Sequence, residues 1–132
     1  MLKYMLDTNI VIYVMKRRPI EVLETFNRHA PYLCVSSITA AELYYGAEKS
    51  AFPERNLQAV EDFLSRLQVL SYGIKAAAHF GNIRAELEKT GRLIGENDLH
   101  IAAHARSEGL VLFSNNLREF ERVDGLRLEN WV

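Results

Sequence analysis

The apolar run from Met1 to Leu6 stops on Asp7-Thr8-Asn9, and apolar sequence resumes at once in IVIYVM. Asp and Asn are common turn residues, so a plain turn accounts for this. A carboxylate, a hydroxyl and an amide at the end of a core strand also make the beginnings of a reactive site. A second polar group, Ser114-Asn115-Asn116, closes the apolar run at 110–113. Carboxylate, hydroxyl and amide oxygens are hard ligands suited to Mg²⁺ or Mn²⁺. The reaction class that goes with such ions is phosphoryl transfer or phosphodiester hydrolysis.

Three further acids bear on that chemistry. Asp98, in GENDLHIAAHARSEG, would share a helix face with Ile101, Ala102 and Ala105. It heads an apolar stripe, where a charge needs a partner or a metal, although an acid in a first turn also pairs with the helix dipole. Glu42 reads as structural from its pattern. TAAE, Thr39 to Glu42, fits a capping box, and the helical wheel sets Glu42 opposite the Ala40/Leu43/Ala47 stripe. Glu119 lies among Arg118, Glu121 and Arg122 in what reads as a surface charge cluster.

The elements that must position these residues alternate. Strands are expected at residues 1–6 and in YLCVSSI, QVLSY, LVLFS and LRLEN. Helices are expected at 10–15, 19–29, 39–50, 53–67, 75–90 (stopped by Gly91) and 97–107 (ended by Gly109). The strands are continuous apolar runs, which favours a mostly parallel sheet covered on both faces. In such folds ligands bind beyond the carboxyl ends of the strands, and Asp7-Thr8-Asn9 and Ser114-Asn115-Asn116 both fall there. The expected fold is α/β with three layers, in one domain spanning residues 1–132.

Bulk properties narrow the function. The 132 residues are 48% hydrophobic and 25% charged, an ordinary globular composition. A net charge of −1 argues against a passive nucleic-acid binder but leaves room for local patches such as Lys16-Arg17-Arg18, or Arg84, Lys89 and Arg92. The single cysteine, Cys34, excludes an internal disulfide and reads as a small buried hydrophobe in a reducing compartment. Neither a signal peptide nor a membrane-spanning run is legible, which makes the cytoplasm the expected location. Competing motifs fail on their residues. HIAAH, with His100 and His104, lacks the glutamate of a zinc-protease helix; GRLIG lacks the Lys-Ser/Thr of a P-loop; no G-x-S-x-G elbow occurs. Residues 7–9 are not D-x-D, which disfavours haloacid-dehalogenase-like phosphatases, and QVLSYG offers no phospho-accepting Asp for a receiver domain.

MLDTNI, SSITAAELYYGAEKS, GENDLHIAAHA and LFSNNLREFERVDGLRLENW together resemble the PIN-domain ribonucleases, and more narrowly the VapC toxins of bacterial toxin–antitoxin pairs. The resemblance runs over essentially the whole chain, with the motifs in family order. It implies a three-layer PIN-like domain and an Mg²⁺- or Mn²⁺-dependent endoribonuclease. It makes Asp7, Glu42, Asp98 and Glu119 the catalytic acids, with Asp7 and Asp98 as metal ligands. Thr8, Asn9, Ser114 and Asn116 become supporting polar residues. Glu42 thereby changes from a structural to a catalytic candidate. Glu119 stands where many relatives have Asp, and Ser114 replaces a common Thr while keeping the hydroxyl. The resemblance further implies a cognate VapB-type antitoxin, a homodimer, and a structured RNA target such as tRNA, with initiator tRNA near the anticodon as one lead. The alternative within the same fold is a PIN-like nuclease acting in RNA maturation or on DNA.

Overall fold

A computed structural model describes residues 1–130. Its elements, in chain order, are β1 (Tyr4–Leu6), α1 (Thr8–Lys16), α2 (Ile20–His29), a 3₁₀ turn (Ala30–Tyr32), β2 (Leu33–Ser36), α3 (Ser37–Glu48) and α4 (Pro53–Leu64). They continue with β3 (Gln68–Leu70), α5 (Ile74–Lys89), α6 (Glu96–Ser107), β4 (Val111–Phe113), α7 (Leu117–Phe120) and β5 (Arg127–Glu129). The strands form one sheet in the order β3-β2-β1-β4-β5, and every pairing is parallel. The α/β expectation therefore holds, with β1 at the centre.

Strand alternation splits the core into two layers. Met5, Cys34 and Leu112 point to one face and pack with α5 and α6 through Ile83, Leu87, Leu99 and Ile101. Leu6, Leu33, Val35 and Phe113 point to the other and pack with α1, α2, α3 and α4 through Ile10, Val22, Leu43 and Phe63. Cys34 is buried, as its apolar setting implies, and burial pushes its thiol up to about 12. The edge strands β3 and β5 are much more exposed than the central ones. Among the described residues no helix is long and apolar enough to cross a membrane.

The helix ends explain where sequence and structure differ. The α1 helix starts at Thr8, two residues earlier than its apolar period suggests. Asp7 caps it, with Oδ1 accepting the Thr8 N–H at 2.8 Å. Thr8 and Asn9 are thus the first helical residues instead of a turn. The α3 helix likewise starts at Ser37, because Ser36 Oγ accepts the Ile38 N–H at 3.0 Å. This overturns the expected Thr39–Glu42 capping box: Thr39 lies inside the helix and is fully buried. On α2 the buried face is Val22 and Phe26, while Ile20 is exposed. The four-residue α7 is too short to show a period and has no counterpart among the expected elements. Gly91 and Gly109 end their helices as the sequence suggests. Each has positive φ, and the 6→1 and 5→2 hydrogen bonds of a Schellman motif surround it.

Phe113 is fully buried, stacks on Tyr4 with centroids 4.5 Å apart and meets His29 edge-on. It also precedes the turn that carries Ser114. Phe113→Ala is expected to lower unfolding stability by about 3–5 kcal/mol in urea titration. A loss below about 1 kcal/mol would show that Phe113 does not anchor the end of β4.

Candidate functional site

Each of the four acids rides on the amino-terminal part of a helix that starts beyond the carboxyl edge of the sheet. Asp7 caps α1, Glu42 lies in the second turn of α3, Asp98 in the first turn of α6 and Glu119 in α7. Parallel topology therefore brings together residues more than a hundred positions apart. The amide ends of the longer helices also place partial positive charge near the acids.

Asp7 is held most firmly. It is buried, with both carboxylate oxygens engaged: Oδ1 by the Thr8 amide at 2.8 Å, and Oδ2 by the Ser114 hydroxyl, also at 2.8 Å. Ser114 Oγ in turn accepts the Asn116 N–H at 2.9 Å. Burial raises the Asp7 pKa above the usual carboxylate range. The Ser114 and Thr8 hydrogen bonds oppose that shift, and the charges of Glu42 and Glu119 reinforce it.

Glu42 reaches the same edge by another route. Its Oε1 accepts the Thr8 hydroxyl at 2.7 Å, and Thr8 Oγ1 stands 3.1 Å from Thr39 Oγ1. One residue, Thr8, thus binds Asp7 through its amide and Glu42 through its side chain. Asp98 is half-buried, and its carboxyl is pushed up to about 7. Burial is the largest cause, followed by the charges of Asp7, Glu119 and Glu42 and by a hydrogen bond with Glu119 that favours the protonated form. The charges of Glu42 and Glu119 thus bear on both Asp7 and Asp98, and that of Asp7 bears on Asp98.

The supporting residues divide. Thr8 and Ser114 make direct hydrogen bonds to the acids. Asn116 contributes its backbone N–H. Asn9 is exposed, and among the described residues no hydrogen bond ties it to the acids. Sequence reading missed Thr39, whose capping-box pattern pointed elsewhere, and the Asn115 Nδ2 bond to Tyr13 Oη at 2.9 Å. His100 and His104 are packing residues: the Nδ1 of His100 bonds Tyr72 Oη and that of His104 bonds Ser36 Oγ, both at 2.8 Å. Lys16, Arg17 and Arg18 lie exposed at the other end of α1, about 13 Å along the helix from Asp7.

The donor set consists of hard oxygens in a region of excess negative charge, which suits a divalent cation. Among the described residues no three His, Cys, Asp or Glu side chains converge as a ready-made metal cage.

Residues 4–126 match the family model of the PIN domain. The chain is 75% identical over 132 residues to "Ribonuclease VapC2" of Haemophilus influenzae, covering 100% of each chain. It is 56% identical over 131 residues to "tRNA(fMet)-specific endonuclease VapC" of Shigella flexneri, covering 99% of each. Among solved structures, DNA-bound VapBC from Salmonella typhimurium contains a chain that shares this fold with a TM-score of 0.96 at 55% identity, covering 100% of both chains. VapBC-1 from nontypeable H. influenzae does so with a TM-score of 0.90 at 41% identity, covering 98% of both.

The raised Asp98 pKa has a definite sign in stability. Between the ordinary carboxylate value of about 4 and its folded value of about 7, the folded state holds a proton that the unfolded state has lost. Rising pH therefore costs the folded state stability across that window, and the full cost is present above it. In chelator, Asp98→Asn should melt above wild type at about pH 8, and the gap should close as pH falls below about 4. Thermal melts across this range check it; a gap that stays constant with pH would contradict the assignment.

Proposed function

Because the chain belongs to the PIN-domain family and, within it, to the VapC ribonucleases, we propose that it is a divalent-metal-dependent endoribonuclease whose active centre is Asp7, Glu42, Asp98 and Glu119. The observation that carries the reading is the Asp98 carboxyl, raised to about 7 in part by the charges of the other three acids. Burial and neighbouring acids hold Asp7 and Asp98 back from ionising, and a cation against a phosphodiester is what such a setting suits.

Asp7 and Asp98 would hold the ion, with Glu42 and Glu119 completing the acidic ring. The chemistry that Mg²⁺ or Mn²⁺ would supply there is charge neutralisation at the scissile phosphate and polarisation of the attacking water. Ser114 and the Thr8 amide fix both oxygens of Asp7, so its orientation is set before substrate arrives. The Thr8 hydroxyl sets the position of one Glu42 oxygen. A cation held beside Asp98 would favour its ionised form over the protonated one that burial and the neighbouring acids favour.

For the substrate we propose initiator tRNA, cut in the anticodon stem-loop. The support is the 56% identity to a protein named as a tRNA(fMet)-specific endonuclease. Such cleavage would arrest translation and growth, and it places the enzyme in the cytoplasm. The VapBC complexes among the related structures support a VapB-type antitoxin as partner. A homodimer, with residues 1–132 of each copy forming one PIN domain, completes the proposal.

Incubating antitoxin-free protein with initiator and elongator tRNA in Mg²⁺ or Mn²⁺, and mapping new 5′ ends, tests this reading. Discrete cuts in initiator tRNA are expected, abolished by EDTA and reduced more than about 100-fold in Asp7→Asn and Asp98→Asn. Wild-type cleavage by either variant, or cuts that persist in EDTA, would refute the acidic centre. Cuts in another RNA alone would refute the substrate and leave the centre standing.

A further inference from the structure

We propose that Thr39 is a positioning residue for Glu42: its buried hydroxyl donates to Thr8 Oγ1 and so commits the Thr8 proton to the Glu42 carboxylate. The inference rests on the reading of Glu42 as part of the acidic ring. It adds a residue from outside the four acids and their polar neighbours at the strand ends.

A count of protons fixes the direction of each bond. An ionised Glu42 only accepts, and a threonine hydroxyl has one proton to give. Thr8 Oγ1 donates to Glu42 Oε1 at 2.7 Å, within the short range of charge-assisted bonds. Its proton is then spent, so the 3.1 Å contact with Thr39 Oγ1 must run the other way, with Thr39 donating. The result is a directed chain, Thr39 to Thr8 to Glu42, that spans α3 and α1.

Burial makes the chain informative. Thr39 is fully buried beside Ala40 and Leu43, where an apolar side chain of the same shape would fit. A buried hydroxyl costs free energy unless it is bonded, and the partner it finds is the one that orients a site carboxylate. Thr39 and Glu42 stand at i, i+3 on one side of α3, so both meet Thr8 across the helix pair. A hydroxyl serving α3 alone would bond a carbonyl one turn back; the contact here instead crosses to α1. In Thr39→Val, Thr8 loses the donor that fixes its rotation, and Glu42 loses a single defined position.

The test is a double-mutant cycle of Thr39→Val and Glu42→Gln, with Thr39→Ser as the rescue and Thr39→Ala as a second truncation should the valine variant fold poorly. Cleavage rate and KM on RNA are read beside Mn²⁺ affinity from calorimetry without RNA. Thr39→Val is expected to lower kcat about 10- to 100-fold and to weaken Mn²⁺ binding, with KM little changed, while Thr39→Ser restores both. In the Glu42→Gln background, Thr39→Val should change Mn²⁺ affinity no further. Wild-type behaviour of Glu42→Gln would overturn the acidic-ring reading itself. An impaired Glu42→Gln beside a wild-type-like Thr39→Val, or a Thr39→Val loss that persists in the Gln background or resists rescue by serine, would overturn the role of Thr39 alone.

Discussion

Mutual repulsion among Asp7, Glu42, Asp98 and Glu119 is the constraint around which the rest of the molecule is arranged. Burial opposes ionisation and like charges nearby add to it, and Asp98 bears the consequence with a carboxyl pushed up to about 7. A fold selected for stability alone would disperse these groups. Here an all-parallel sheet does the reverse: every strand delivers its carboxyl end to the same edge, where α1, α3 and α7 follow their strands directly and α6 enters from α5.

The scaffold offsets the repulsion locally. Helix amide ends face the acids, and Asp7 is bonded by an amide and a hydroxyl before any cation arrives. Hydroxyls do work that further cations would spoil, because they orient carboxylates without neutralising them. Ser114 does this for Asp7, and Thr8 does it for Glu42. Beneath the edge, two well-packed layers on Met5/Leu112 and Leu6/Phe113 fix the strand ends that carry the site. Rigidity below and excess charge above are two sides of one arrangement, since loosely held acids would move apart.

How much of this was legible in the sequence depended on the local signal each residue carried. Asp7 and Asp98 stood out because each interrupts or heads an apolar pattern whose period is clear. The sheet class followed from continuous apolar strands alternating with helices. Glu42 was hidden because a helical wheel separates core from solvent and has no category for a rim. The Ala40/Leu43/Ala47 stripe is indeed buried, yet the site lies beside it, where α3 meets α1. Thr39 was obscured by a capping pattern that Ser36 in fact supplies three residues earlier. Glu119 sits on a helix of four residues, which has no period to read. For Glu42 and Glu119 only family resemblance pointed to the proposed site; in the fold their charges act on Asp7 and Asp98.

Electrostatic coupling among the four acids is read most directly from the pKa of Asp98 itself. Carboxyl ¹³C chemical shifts can be followed through a pH titration of the metal-free protein, in wild type and in Asp7→Asn. The expected result is a wild-type Asp98 midpoint near 7 that falls clearly when the Asp7 charge is removed. An ordinary midpoint near 4, or one indifferent to Asp7, would mean that these acids do not form a single centre.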